Sequence, residues 1–70
     1  MKYLVVIEPT ETGFSAFSPD LDGCVATGAT REEVEREMAE AIEFHIEGMR
    51  EAGHNVPPPK ASSVYLEVPT

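Results

Sequence analysis

Apolar and polar positions along the chain fall into four short extended patterns and one long helical one. Lys2 to Glu8, KYLVVIE, is rich in β-branched and aromatic residues and predicts a strand. Tyr3, Val5 and Ile7 share one face, and Leu4 and Val6 the other. Both faces are apolar, so the strand is expected inside its sheet. Pro9 lacks a ladder donor and is expected to stop it. PTETG follows as a turn, with Gly13 able to take a positive φ. FSAFS, Phe14 to Ser18, alternates large and small residues and predicts an antiparallel return. Pro19 breaks this second strand. PDLDG then predicts consecutive turns in which Asp20 and Asp22 cap local backbone amides. CVATG, Cys24 to Gly28, predicts a short third strand ended by Gly28.

The helical pattern begins at TREE. Thr30 as N-cap with Glu33 three residues later makes a capping box, and Glu32 and Glu33 suit the positive end of a helix dipole. The helix is expected from Arg31 to about Ala52, with Gly53 just past its C-terminus. Val34, Met38, Ala41, Ile42, His45 and Met49 form one apolar stripe, with Ile46 at its edge. HNVPPPK reads as a stiff extended connector, because successive prolines favour polyproline geometry. SVYLEV, Ser63 to Val68, predicts a last strand with Val64, Leu66 and Val68 on one face. The order is β-β-β-α-β, an α+β domain over residues 1–70. It predicts a mostly antiparallel four-stranded sheet with one helix packed on one face. The fourth strand is placed parallel beside the first through a right-handed crossover.

Seventy residues bury only a modest core, so stability as a monomer is expected to be marginal. One cysteine makes no internal disulfide, and Cys24 with two scattered histidines is a poor metal set. Self-association to a dimer or higher is the expected compensation, and a free edge strand or bare sheet face would favour it. The formal net charge of −8, from thirteen acids against five bases, argues against direct nucleic-acid binding by this chain alone. It suits a basic partner. The longest apolar run, LVVI, is too short for a membrane span, and no signal-peptide pattern opens the chain. A cytoplasmic protein is expected.

The stretch SPDLDGCVATG is the first candidate for chemistry. As a calcium loop counted from Asp20, it would need glycine sixth and glutamate twelfth, but those positions hold Val25 and Arg31. As a nucleophile, Cys24 would need a base and an electropositive setting, whereas its neighbours are Asp22 and aliphatic residues. It reads better as a small buried hydrophobe. A metal-dependent nuclease would need several convergent carboxylates, and Glu8 is the only obvious one on the sheet. No catalytic residue, metal ligand or cofactor site is therefore assigned. His45 reads as half-buried within the stripe, and His54 lies where a positive charge suits the helix end.

The helix's other side is more informative. Glu33, Glu37, Glu40, Glu47 and Glu51 cluster there with Phe44 among them. A solvated acidic face is common, but a phenylalanine within it has two readings. It tucks under the proline segment, or it anchors a partner rimmed by charge. Glu37, Glu40, Phe44, Glu47 and Glu51 are the candidate partner-binding residues.

The pattern GF-A--PDL-GC---G-T-EE, an EAI helix, then glycine and P-P, runs through nearly the whole chain. It is carried by Gly13, Phe14, Pro19, Asp20, Leu21, Gly23, Cys24, Gly28, Thr30, Glu32, Glu33, Ala41, Ile42, Gly53, Pro57 and Pro59. It resembles the N-terminal domain of HicB-family antitoxins. The resemblance implies a β-β-β-α-β domain like a reduced ribonuclease H fold without that enzyme's catalytic carboxylates. It implies a non-enzymatic task, binding and masking a small basic ribonuclease toxin called HicA. It makes the PDLDG turns architecture. Longer members of that family continue into an operator-binding domain. This chain ends at Thr70, so no C-terminal DNA-binding domain is expected. The rival expectations are an orphan oligomeric scaffold or small regulatory domain, and a residual nuclease.

Overall fold

The structure, a computed structural model, describes all residues from Met1 to Thr70. Three strands, β1 (Val6–Pro9), β2 (Phe14–Phe17) and β3 (Val25–Gly28), precede one helix, α1 (Arg31–Glu51). The strands form an antiparallel meander in the order β1-β2-β3. Val6 pairs with Phe17, which pairs with Val25. Glu8, Ser15 and Thr27 are aligned in the same way.

The strand period of two sorts the sheet into two faces. Ala16, with the flanking Phe14, Ala26, Val5 and Ile7, meets the helix stripe. Val34 and Met38 are buried against them, together with Leu21 and Cys24 from the loop after β2. The opposite face is uncovered and carries the apolar row Val6–Phe17–Val25. Phe17 there is 39% exposed and Val25 is 65% exposed.

Local chemistry sets the joints. The N–H of Thr10 donates to the Gly13 carbonyl at 2.8 Å and closes the β1–β2 turn. Gly13 has no positive φ, contrary to expectation. A Cβ on it would sit 2.3 Å from the Gly28 carbonyl oxygen, so close approach is what demands glycine there. Two consecutive turns follow β2, with Leu21 N–H donating to Ser18 O and Cys24 N–H to Leu21 O, each at 3.2 Å. They fold Leu21 into the core at 2% exposure.

The helix starts and stops where its sequence predicts, with one of the two capping-box bonds formed. Thr30 is the N-cap in extended conformation, and its Oγ1 accepts from Glu33 N–H at 3.1 Å. At the other end Gly53 takes φ +76°. Gly53 N–H donates to Arg50 O at 3.1 Å and His54 N–H to Met49 O at 2.9 Å. These two bonds are the pair that a left-handed glycine just past a helix end makes possible. No helix is long and apolar enough to cross a membrane.

Three further expectations are corrected. First, β1 is an edge strand, not a central one, and it is four residues long. Lys2 to Val5 stay unpaired because β2 stops at Phe17, before the turn at Pro19. Pro9 is tolerated as the last residue of β1, as befits an edge. Second, Ser63 to Val68 is not a strand of this sheet. The connector reaches Ala61, and every residue from Ser62 to Thr70 is exposed. The sheet is therefore three-stranded. Third, Asp20 caps no local amide. Its Oδ2 accepts from the N–H groups of Lys60 and Ala61, both at 3.0 Å.

Candidate functional site

The loop from Ser18 to Gly28 positions no reactive group. Cys24 is buried, and burial pushes its thiol above the ordinary value, away from the thiolate a nucleophile needs. Asp20 is engaged by the connector, and Asp22 is exposed. His45 and His54 line an open depression with Asp20, Asp22, Met49 and Lys60. No three His, Cys, Asp or Glu side chains converge there or elsewhere as metal ligands would.

The acidic side of α1 offers a surface instead. Helical spacing places Glu37, Glu40, Phe44, Glu47 and Glu51 along one stripe turned away from Val34 and Met38. Phe44 is 79% exposed, so it does not tuck under the proline segment. Together with Glu37, Glu40 and Ala41 it lines a shallow depression against Val25, Ala26 and Thr27 of β3. The sheet edge and helix thus meet at an exposed aromatic and an exposed valine, with two carboxylates alongside.

The other two acids lie apart from this depression. Glu47 faces a separate hollow with Met1, Tyr3, Ile46 and Arg50. Glu51 is exposed in the last helical turn. Val25 joins this surface without a helical-spacing signal to place it there. Its signal lies in the strand period instead, since it occupies the outward phase of a strand whose inward residues are Cys24 and Ala26.

Charge on this face is not compensated within the chain. The single ion pair joins Arg31 Nε to Glu35 Oε2 at 3.1 Å, one helical turn apart and exposed. Such a pair contributes little to stability. Neither Glu37 nor Glu40 has an ion-pair partner within the chain, and Phe44 and Val25 are the large apolar side chains exposed beside them.

Comparison with known proteins agrees with this architecture. The family described as HicB_like antitoxin of bacterial toxin-antitoxin system matches residues 3–69. An uncharacterized 14.9 kDa protein from the rep-hol intergenic region of Haemophilus phage HP1 is 36% identical over 69 residues, covering 99% of this chain and 52% of the phage protein. A UPF0150 protein of Helicobacter pylori is 49% identical over 41 residues, covering 59% of this chain and 57% of that protein. The chain thus spans about half the length of the curated relatives it matches. Among solved structures, a chain of a HicA3 and HicB3 toxin-antitoxin complex superposes with a TM-score of 0.74 at 37% identity. That match covers 84% of this chain and 70% of the other. The chain belongs to the HicB-like antitoxin family of bacterial toxin-antitoxin systems.

Proposed function

We propose that this chain is an antitoxin module that binds a HicA-type ribonuclease toxin and masks it without catalysing a reaction. The observation that carries the proposal is the likeness, at 37% identity, to a chain from a complex of HicA3 with HicB3. The chain's own chemistry supports it. A net charge of −8 attracts a small basic protein, and Phe44 with Val25 offers an apolar anchor beside Glu37 and Glu40. We assign the toxin contact to that depression, with Glu47 and Glu51 extending the acidic stripe. The site of action is the cytoplasm, and operator contact is no part of the role of residues 1–70.

The test is titration calorimetry of the chain with a HicA-type toxin, followed by a ribonuclease assay of the mixture. Binding with loss of ribonuclease activity is expected. Phe44→Ala should weaken affinity at least tenfold, since buried aromatic anchors carry about 2 kcal/mol or more. Glu40→Lys should weaken it further. Both residues are exposed in the free chain, so circular dichroism should be unchanged. Wild-type affinity in both variants would sink the site assignment, and absence of toxin binding would sink the function.

A second reading, an oligomeric scaffold with no toxin, draws on the exposed row Val6–Phe17–Val25 and the exposed last residues. Self-association without toxin binding in the same titration would favour it. A nuclease reading has less to stand on, since Glu8 is not joined by other carboxylates in a ligand set.

A further inference from the structure

The tail after Ala61 has the sequence of a strand and no partner. Val64, Leu66 and Val68 alternate with Ser63, Tyr65 and Glu67. In the folded chain Val64 is 75% exposed, Leu66 77% and Tyr65 fully so. The radius of gyration, 13.8 Å, exceeds the roughly 11 Å of a compact chain this long. The tail leaves the body along a defined path. Tyr3 Oη donates to the Pro57 carbonyl at 2.5 Å, and Asp20 holds Lys60 and Ala61. Beyond Ala61 no hydrogen bond restrains it.

The first strand presents the converse. Its sequence is apolar on both faces, as suits a strand inside a covered sheet, and β1 lies at an open edge with β2 as its one paired neighbour. Beside that edge runs an open trough of about 290 Å³, lined by Leu4 to Ile7 and Arg31 on one side and by Ser63 to Tyr65 of the chain's own tail on the other. The first half of the chain's own tail, Ser63 to Tyr65, thus flanks the edge without hydrogen-bonding to it, so a partner's tail would take the place this segment leaves unpaired.

We propose that the tail of a second copy of this chain, residues Ser63 to Val68, adds as a strand to the free edge of Lys2 to Ile7, and that the exchange is reciprocal. Each copy carries one strand to give and one edge to fill, so a twofold exchange satisfies both and closes the assembly. The six tail residues span about 20 Å, within the reach of the edge from Lys2 to Pro9. Val64, Leu66 and Val68 would meet one apolar face of the first strand, and Tyr65 the other. The three apolar side chains on the tail equal in number the large side chains fully buried in the core, Leu21, Val34 and Met38.

Local charge at this edge is positive and suits an acidic strand rather than a basic partner. Lys2 and Arg31, two of the chain's five bases, lie on the β1 side, Arg31 already paired with Glu35. The tail brings Glu67 toward them.

The test uses the full chain without toxin, so it stands apart from the antitoxin reading. Sedimentation equilibrium should give a dimer. A mixture of isotope-labelled and unlabelled chains should show intermolecular nuclear Overhauser contacts between residues 63–68 and residues 2–7. Amides of both segments should become protected from exchange together as concentration rises. Leu66→Asp should weaken dimerisation by about thirtyfold or more, on the order expected for a buried anchor. Its helical circular dichroism should persist, because Leu66 is outside the core. A chain that stays monomeric overturns the proposal. So does a dimer whose tail amides exchange freely, tail protection that is independent of concentration, or protection that appears only on adding a HicA-type toxin.

Discussion

At Asp20 one carboxylate oxygen joins segments forty residues apart. From sequence this residue reads as a turn aspartate, because Pro-Asp-Leu-Asp-Gly carries every local signal for it. The turns do form, but they close through backbone bonds, which leaves the carboxylate free for the connector. A long-range acceptor leaves no mark in the pattern around it. Cys24 was easier to read, since a lone thiol flanked by aliphatic residues belongs inside. Its burial has a pH consequence. The thiol's ordinary value is 9.0 and burial raises it in the folded chain. Below about pH 9 the proton is present in both states, and its contribution to stability is constant. Above that, the unfolded chain releases the proton while the folded chain retains it, so stability falls as pH rises toward the folded value. Urea melts from pH 7 to 10.5 should show wild type losing more stability on the alkaline side than Cys24→Ala. Parallel curves would mean that burial does not hold this proton.

Among the elements, α1 was legible from end to end because its signals are local and agree. The stripe, the Thr30 cap and the Gly53 stop lie within one continuous segment, and each constrains the same backbone. The strands were legible as to existence and order but not length. The pattern predicts Lys2–Glu8 where β1 is Val6–Pro9, since a strand's extent depends on how far its neighbour runs. The glycines separate local from tertiary demands. Gly48 lies inside α1 with nothing near its missing Cβ, so Gly48→Ala should stabilise the fold by about 1 kcal/mol. For a domain this size that raises Tm by roughly 4–8 °C. Gly28 is different, because a Cβ there would stand 2.7 Å from Val34 N and 3.0 Å from Val34 Cα. Gly28→Ala must push α1 off the sheet and should cost about 1–3 kcal/mol. Thermal melts of the two variants should therefore move in opposite directions. A shift of the same sign in both would refute the close packing of α1 on β3.

For the whole molecule the governing quantities are its charge and its uncovered surface. With thirteen acids and a single exposed ion pair, the chain's field is long-ranged and sensitive to salt. Association with a HicA-type toxin should slow by roughly an order of magnitude or more between low and high salt, while dissociation changes less. Stopped-flow traces across a salt series read both rates, and an association rate indifferent to salt would remove charge steering from the account. The exposed aromatic of the candidate site belongs to this scale as well. Phe44 was visible in sequence as an apolar residue on an acidic face. Whether it was covered depended on where the proline connector ran, and its sharing a depression with Val25 depended on which edge of the sheet lay beside the helix.

The sequence by itself determined the meander, the helix and its two ends, the buried stripe, the acidic face and the family. These rest on periodicity, capping and turn chemistry, all of which act between near neighbours. The tertiary structure alone decided that β1 lies at an edge, that Asp20 ties down the connector, and that Ser63 to Val68 stands free of its own sheet. Strand propensity says that a segment is ready to pair but does not name its partner. The partner is set by where the intervening chain can carry it, and here the connector tied at Tyr3 and Asp20 delivers the tail past β1 with its backbone donors and acceptors unspent.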